Sequence, residues 1–270
     1  MNTSNPQTED ELCLTTQGAV RILAMNRPQT KNGLTLDLLA AMISALEEAK
    51  NDASVRAIVL TGRGGSFCSG LDFRAALQLV QAGGTDFTDQ AEHRLRNFFH
   101  KAILSLASLP KPVIALVDGA AAGFGLDLAL ACDLRIATKQ ARFGEIFIKR
   151  GLMPDGGGTY TLPKLVGLGR AFDLMLTGDI LDAEEALRIG LISRIFDGET
   201  EAMAFAERIA AGPPLVMAEI KKAVYAGLSQ SFPQALENEV AGQTKLLRSQ
   251  DFLEGVSAFL SKRPPQFTGQ

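Results

Sequence analysis

Two segments of the chain repeat one order of features, and this repeat constrains the fold more than any other part of the sequence. Residues 57–72 and 113–127 each contain a short apolar run, a glycine-containing loop and then Gly-Leu-Asp. A short apolar run bounded by glycine is typical of a buried strand. The echo between the two segments is consistent with a repeated strand–turn–helix unit.

The hydrophobic periodicity predicts strands alternating with helices up to residue 198 and helices alone beyond it. Strands are predicted over 19–25, 57–61, 113–117, 134–137 and 193–196. Helices are predicted over 36–51 (with Thr35 as N-cap), 90–108, 159–166, 171–176, 183–189, 201–211, 215–228, 232–248 and 251–262, and a surface loop over 82–88. We therefore predict an α/β core over residues 1–198 and a C-terminal helical subdomain over residues 199–270.

The charge balance and the apolar stretches limit the partners of the chain. It carries 27 Lys and Arg against 30 Asp and Glu, a net charge of -3, which argues against a bulk electrostatic grip on nucleic acid or an anionic membrane. No apolar stretch approaches the ~20 residues of a membrane-spanning helix, and residues 1–11 show no signal-peptide pattern. Three widely spaced cysteines are typical of reduced thiols. These features predict a cytoplasmic protein.

The sequence lacks the motifs that several kinds of chemistry require. The two histidines, His93 and His100, are seven residues apart in the sequence and have no His or Cys nearby, so we predict no metal site. The sequence contains neither G-x-S-x-G nor G-x-x-x-x-G-K-[ST], the motifs of α/β-hydrolases and of phosphate-binding loops. Histidine-based nucleophilic catalysis and nucleotide hydrolysis are therefore not expected.

The loop over 118–127 is the first candidate site. A strand is predicted to end at Val117 and a helix to begin near Gly123. The N–H groups of a first helical turn have no partner within the helix, so the Phe124 N–H is placed to bind a developing oxyanion. Asp127 shares that turn, where its carboxylate can move a proton at the neighbouring carbon. The alternative is tight helix–sheet packing, with Asp127 as an acid that favours the helix dipole.

The loop over 151–159 is the second candidate. Three glycines bring its backbone close to a neighbour, and Thr159 is predicted to cap the next helix. Asp155 is then a carboxylate aimed at a ligand. The alternative is that the Asp155 side chain simply stabilises the turn.

Five ordered motifs, which together span nearly the whole chain, resemble the crotonase (enoyl-CoA hydratase/isomerase) superfamily. They are N-R-P at 26–28, L-T-G…F-C-S-G-L-D at 60–72, K-P-V-I-A…G-F-G-L-D-L-A-L-A-C-D at 111–133, G-G-T and L-T-G-D at 157–159 and 176–179, and E-G-V-S-A-F-L-S-K-R at 254–263. The resemblance implies a core of repeated ββα units wound as a spiral. The motifs are nearest to those of phenylacetyl-CoA epoxide isomerase-like and enoyl-CoA isomerase members.

The resemblance also implies how a substrate binds. An acyl-CoA thioester is expected to place its carbonyl oxygen between the N–H groups of Leu71 and Phe124, and an enolate-like anion forms. The matching CoA-side positions are Arg27, Ser69, Gly70, Asp72, Gly123, Phe259 and Lys262. Coenzyme A arrives as part of the substrate, and no metal or redox cofactor is implied. Members of the family are usually homotrimers or hexamers, so we expect the same here.

Departures from the family pattern bear on the reaction. Family hydratases use two glutamates; Asp127 occupies the first position as a shorter acid, and Phe147, which cannot transfer a proton, occupies the second. Asp155 matches the P-D-x-G-G-T of isomerases. The pattern therefore favours a double-bond shift with Asp155 as the proton shuttle over hydration. Glu145 is a further candidate acid, although the favoured interpretation is a solvated strand residue.

Other functions on the same scaffold are alternatives. An acyl-CoA hydrolase or a C–C lyase would use the same features, and the sequence separates these poorly from an isomerase. A non-catalytic or RNA-binding homologue is disfavoured by the net charge of -3. Family dehalogenases pair an aspartate with a tryptophan and a histidine, and this chain has no tryptophan. The sequence does not identify the acyl group.

Overall fold

The fold is described by a computed structural model that covers residues 10–74 and 90–270. Its strands are β1 (Leu12–Gln17), β2 (Val20–Met25), β3 (Ala57–Gly62), β4 (Val113–Val117), β5 (Ala120–Ala122), β6 (Leu134–Thr138), β7 (Arg142–Gly144), β8 (Leu181–Asp182) and β9 (Arg194–Phe196). The main sheet has the order β1-β2-β3-β4-β6-β9. All its neighbouring strands pair in parallel except β1 and β2, which pair antiparallel.

A second sheet of β5, β7 and β8 carries the repeat predicted from the sequence. β5 follows closely after β4, β7 follows closely after β6, and the two pair in parallel. The loop after β3 joins the same arrangement through a parallel bridge between Cys68 and Ala121. Three successive strands of the main sheet are therefore each followed by a segment in or beside the second sheet. The third of these repeats was not evident in the sequence.

The helices follow the predicted order closely. They are α1 (Leu36–Asn51), α2 (Ala91–Arg94), α3 (His100–Ser108), α4 (Phe124–Leu130), α5 (Gly158–Val166), α6 (Leu168–Thr177), α7 (Ala183–Arg188), α8 (Glu199–Ala210), α9 (Pro214–Gly227), α10 (Phe232–Leu246) and α11 (Gln250–Leu260). A π-helical turn, Leu95–Phe99, joins α2 to α3. The predicted loop over 82–88 lies outside the described residues.

The two predicted helix caps have different outcomes. The cap of α1 is confirmed, because Thr35 Oγ1 accepts a hydrogen bond from the Leu38 N–H at 3.0 Å. The cap at Thr159 is wrong: α5 begins at Gly158, and its N-cap is Gly157 with φ of 93°. That left-handed conformation favours glycine, so the start of the helix is set by the backbone of the glycine run rather than by a side-chain cap.

Helices cover both faces of the main sheet. On one face, Ala202 and Ala206 of α8 pack among Ala57 and Val59 of β3, while the alternate β3 residues belong to the larger core with α1 and α4. Burial on both faces explains why these strands are continuous apolar runs. Although α8 follows the predicted boundary at residue 198, it packs on the sheet; the boundary itself stays a prediction.

The last two helices leave large apolar side chains in solvent. Phe232, Val240, Phe259 and Leu260 are each at least 60% exposed. Large apolar side chains left in solvent in this number are candidates for an interaction surface. In residues 10–74 and 90–270, no helix combines the length and the hydropathy needed to cross a bilayer.

Gly125→Ala tests the close packing between the two repeated loops. A Cβ on Gly125 would overlap the backbone carbonyl of Cys68, which cannot rotate away as a side chain can. We expect the free energy of unfolding to fall by about 1–3 kcal/mol, the usual cost of overpacking, measured by urea unfolding at fixed protein concentration. Gly169→Ala is the control, since a Cβ there meets nothing within 4 Å. Equal stability of the two variants would contradict the prediction.

Candidate active site

Backbone hydrogen bonds join the loops that follow β3 and β4. The Cys68 N–H donates to the Ala120 carbonyl at 2.8 Å, and the Ala122 N–H donates to the Cys68 carbonyl at 2.9 Å. Glycine at position 70 permits this approach, because a Cβ there would lie 2.9 Å from the Ala122 carbonyl oxygen and 3.4 Å from the Phe124 nitrogen. The loop after β3 therefore lies directly against the start of α4.

Two N–H groups at this junction are available to a ligand. The Leu34 N–H donates to the Gly70 carbonyl at 2.8 Å and the Asp72 N–H donates to the Leu34 carbonyl at 3.1 Å, so the intervening Leu71 N–H is directed away from this pairing. Phe124 is the first residue of α4, where an N–H has no partner within the helix. Within residues 10–74 and 90–270, neither the Leu71 nor the Phe124 N–H donates a hydrogen bond.

An aromatic contact supports the start of α4. The ring of Phe99, at the end of the π turn, meets the ring of Phe124 edge-on, with centroids 4.9 Å apart and planes at 80°. Edge-to-face pairs of this geometry are favourable. Both rings are buried, so the contact holds in place the residue whose N–H is free.

Asp127 and Glu145 form a buried pair of carboxyl groups. Both side chains have no exposed surface, and Asp127 Oδ2 accepts a hydrogen bond from the Gly156 N–H at 2.8 Å. Asp127 Oδ1 and Glu145 Oε1 both border the position that a Cβ on Gly158 would take, with the glutamate oxygen 2.9 Å from it. The interpretation of Glu145 as a solvated strand residue is therefore wrong: after β7 its side chain enters the space that Gly158 leaves open.

One proton shared by this pair supplies the hydrogen bond that joins its two carboxyl groups. Asp127 Oδ1 and both Glu145 oxygens have no hydrogen-bond donor among the described residues. Two ionised carboxylates cannot bond to each other, because each only accepts hydrogen bonds. Burial raises the pKa of Glu145 to about 9, and repulsion from Asp127 adds to the shift. Burial also raises the pKa of Asp127, to about 7, although the hydrogen bond from Gly156 acts against it. The pair therefore keeps a proton near neutral pH, and one carboxyl group donates it to the other.

Asp155 lies at the edge of the same cluster. It is half-buried in the loop before α5, and its Oδ1 atom is shielded from solvent with no donor among the described residues. Burial raises the pKa of Asp155, whereas nearby His100 lowers it. Repulsion from Asp155 contributes to the raised pKa values of Asp127 and Glu145. The structure thus brings together the three acids that the sequence singled out.

Phe147 places an apolar ring beside the start of α4, where the Phe124 N–H is free. It is buried, and its ring atoms lie 3.9 Å from the position of a Cβ on Gly123. The place where the resemblance puts the second glutamate of hydratases is therefore apolar in this chain.

The predicted CoA-side residues near the loop after β3 are held by internal bonds. Arg27 pairs with Asp72 at 3.0 Å and with Glu11 at 2.8 Å. Ser69 Oγ donates to the Thr30 carbonyl at 3.0 Å. These bonds fasten the turn after β2 to the loop that carries Leu71. Contact with CoA stays a prediction for these residues.

Lys262, which the resemblance places near the CoA phosphates, and Phe259, the aromatic residue beside it, lie just beyond the end of α11 and in its last turn. Phe259 is 82% exposed. Neither residue has a hydrogen bond or ion pair to the carboxyl cluster within the described part of the chain. Contact of these two residues with CoA stays a prediction.

The motif analysis missed Asn32, which holds the loop after β3 in place. Asn32 has no exposed surface; its Oδ1 accepts from the Arg27 N–H at 2.8 Å, and its Nδ2 donates to the carbonyls of Arg63 and Ser66 at 3.0 and 2.7 Å. The Asn-Gly dipeptide at 32–33 is a turn signal that could have drawn attention to it. His100 was also missed, because its contact with Asp155 joins distant parts of the sequence.

Glu145→Gln is expected to flatten the pH dependence of stability. The folded protein keeps the Glu145 proton up to about pH 9, whereas an unfolded glutamate releases it near 4.5. Between these values the native state binds more protons than the unfolded state, so the wild-type free energy of unfolding falls as pH rises. Glutamine stays neutral and keeps a donor for Asp127, so the variant becomes relatively more stable toward high pH.

Urea unfolding at about pH 5 and about pH 8 measures this effect. The control is Glu237→Gln at an exposed position, which should shift stability equally at both pH values. A Glu145→Gln variant whose free energy of unfolding differs from that of the wild type by the same amount at both pH values would contradict the raised pKa of Glu145.

Known proteins match this chain over almost its entire length. A family model described as enoyl-CoA hydratase/isomerase matches residues 15–270. A probable enoyl-CoA hydratase of Rhodobacter capsulatus is 42% identical over 252 residues, covering 92% of this chain and 94% of that protein. A 1,2-epoxyphenylacetyl-CoA isomerase of Escherichia coli is 38% identical over 254 residues, covering 93% and 95%.

Solved structures show the same fold. The crystal structure of an enoyl-CoA hydratase from Bacillus anthracis matches with a TM-score of 0.90 at 32% identity, covering 97% of this chain and 100% of that chain. The chain therefore has the crotonase fold and belongs to the enoyl-CoA hydratase/isomerase family.

Proposed function

We propose that this chain binds an acyl-CoA thioester and shifts a double bond in its acyl group through an enolate. One observation carries the proposal: two unpaired N–H groups lie beside a cluster of carboxyl groups. The link is Gly156, which follows Asp155 and packs on the Phe124 ring, since a Cβ there would lie 2.8 Å from Phe124 Cε2. A pair of donors next to a proton carrier is what enolate chemistry requires.

The Leu71 and Phe124 N–H groups bind the thioester oxygen in this mechanism. Negative charge grows on that oxygen as the enolate forms, and fixed donors stabilise the charge without having to reorganise. The Phe124 N–H adds the partial positive charge of the start of α4. Both donors are backbone groups, so the side chains of Leu71 and Phe124 serve packing.

Asp155 transfers the proton. It removes a proton from the carbon next to the thioester carbonyl, and the electron pair of the C–H bond enters the enolate. It then returns the proton two carbons further along the acyl chain, so the double bond moves and no atom is gained or lost. Burial raises the pKa of Asp155, which makes it a stronger base than an exposed aspartate.

Hydration is the second candidate, and the Asp127–Glu145 pair favours it. Two carboxyl groups that share one proton can provide both the base and the acid that addition of water needs, and the relative from Rhodobacter capsulatus is named a probable hydratase. Both groups have no exposed surface, however, and Phe147 rather than an acid lies beside the start of α4. These two observations support the double-bond shift.

The exposed apolar faces of α10 and α11 support a homotrimer or a hexamer. Association would cover Phe232, Val240 and Leu260, which are exposed in one chain. In such an assembly Phe259 and Lys262 contact the CoA of a neighbouring subunit, and Arg27, Ser69, Gly70 and Asp72 frame the CoA side of their own site.

Asp155→Asn is expected to lower kcat for the double-bond shift by about 10²–10⁴-fold, the usual contribution of general acid–base catalysis. Asparagine keeps the shape of the side chain but cannot carry the proton. Asp127→Asn is the matched variant and should lower kcat less, because its amide oxygen can still accept the hydrogen bond from the Gly156 N–H. Assays with 3-enoyl and 2-enoyl thioesters of CoA, scored separately for double-bond movement and for water addition, measure both.

The opposite ranking of the two variants would contradict the assignment of Asp155. If the wild type also formed 3-hydroxyacyl-CoA from a 2-enoyl-CoA, Asp127 would be the main acid and the reaction would be hydration.

A further inference from the structure

The peptide group between Asp155 and Gly156 is held at both of its polar atoms by side chains from other elements. Its carbonyl oxygen lies 2.9 Å from Nε2 of His100, and its N–H donates to Asp127 Oδ2 at 2.8 Å. His100 begins α3 and Asp127 lies in α4. Because a peptide group is planar, the two contacts fix its orientation and the position of the Asp155 Cα.

The local sequence makes this outside support necessary. Three glycines follow Asp155, and glycine restrains the backbone less than any other residue. Asp155 Oδ1 itself has no donor among the described residues, so the loop backbone must set its position. A displacement of about 1 Å at a reacting group can cost about 10²-fold in rate.

The π turn over Leu95–Phe99 brings α3 to this loop. A π turn adds a residue to the helical turn and is frequent at functional sites. Phe99, its last residue, meets the Phe124 ring edge-on, and the next residue, His100, reaches the Asp155 carbonyl. Consecutive residues of one helix thus support the proposed oxyanion donor and the proposed proton shuttle.

We propose that His100 and Asp127 are positioning residues that clamp the Asp155–Gly156 peptide and so hold the Asp155 carboxyl group toward the substrate. This inference rests on the proposed function of Asp155 as the proton shuttle. A carbonyl oxygen only accepts, so the proton is assigned to Nε2 of His100, which donates it. His100 acts through Asp155, and neither clamp residue needs to transfer a proton to the substrate.

His100→Phe tests the clamp by removing the donor and keeping an aromatic ring at an exposed position. We expect kcat for the double-bond shift to fall at least about tenfold, with KM within about twofold of the wild type because no substrate contact is lost. His100→Gln keeps a donor of similar reach and should recover most of kcat. His93→Phe is the matched control: His93 is exposed, its ring lies beside Asn97, and its loss should change neither constant.

Amide hydrogen exchange at Gly156 measures the clamp without any assay of activity. Exchange should be faster in His100→Phe than in the wild type and in His100→Gln. Unchanged exchange in His100→Phe would overturn the clamp, and faster exchange with unchanged kcat would overturn its positioning role. Failure of His100→Gln to restore kcat and exchange would also overturn the proposal, since the donor would then not be what matters.

Failure of the proposed function gives a different result. If the wild type moves the double bond of no enoyl-CoA, the shuttle role of Asp155 is wrong and the positioning role falls with it. The exchange rates then still decide whether His100 holds the peptide.

Discussion

The backbone pairing between Cys68 and Ala121 is the interaction on which the site depends. Two parallel strands, β3 and β4, end at the same edge of the main sheet, and this pairing joins the loops that leave them. The approach is close enough that a Cβ on Gly125 would overlap the Cys68 carbonyl. Because both loops are fixed there, Leu71 and Phe124 follow at defined positions, and their N–H groups are free. The donor pair is therefore a consequence of strand order and glycine placement rather than of particular side chains.

The carboxyl cluster adds an electrostatic constraint to this frame. Asp127 and Glu145 are buried together, and Asp155 lies close enough to raise the pKa of both. Two buried negative charges with a third beside them would strongly repel one another, so the cluster keeps a proton at neutral pH. Strongly perturbed acids of this kind are typical of functional sites. Asp127 of this pair also accepts the hydrogen bond from the Gly156 N–H, which links the charge state of the cluster to the loop that carries Asp155.

The sequence predicted the features that depend on local periodicity and on ordered motifs. Helix 36–51 with its Thr35 cap, the strand 113–117 and the helix start at Gly123 were all correctly placed. Features that depend on the direction of a side chain after a short strand were not predicted. The strand β7 has three residues, too few to show which face Glu145 takes. The contact of His100 with Asp155 joins residues 55 positions apart, and the Thr159 cap failed because Gly157 adopts a positive φ.

The central claim is that the Leu71 and Phe124 N–H groups bind the thioester oxygen of an acyl-CoA. A crystal structure of the protein with an inert acyl-CoA analogue tests it most directly. The account predicts that the carbonyl oxygen lies about 2.7–3.1 Å from both backbone nitrogens, with the acyl chain passing the Asp155 carboxyl group. An analogue bound with that oxygen away from either nitrogen would contradict the account.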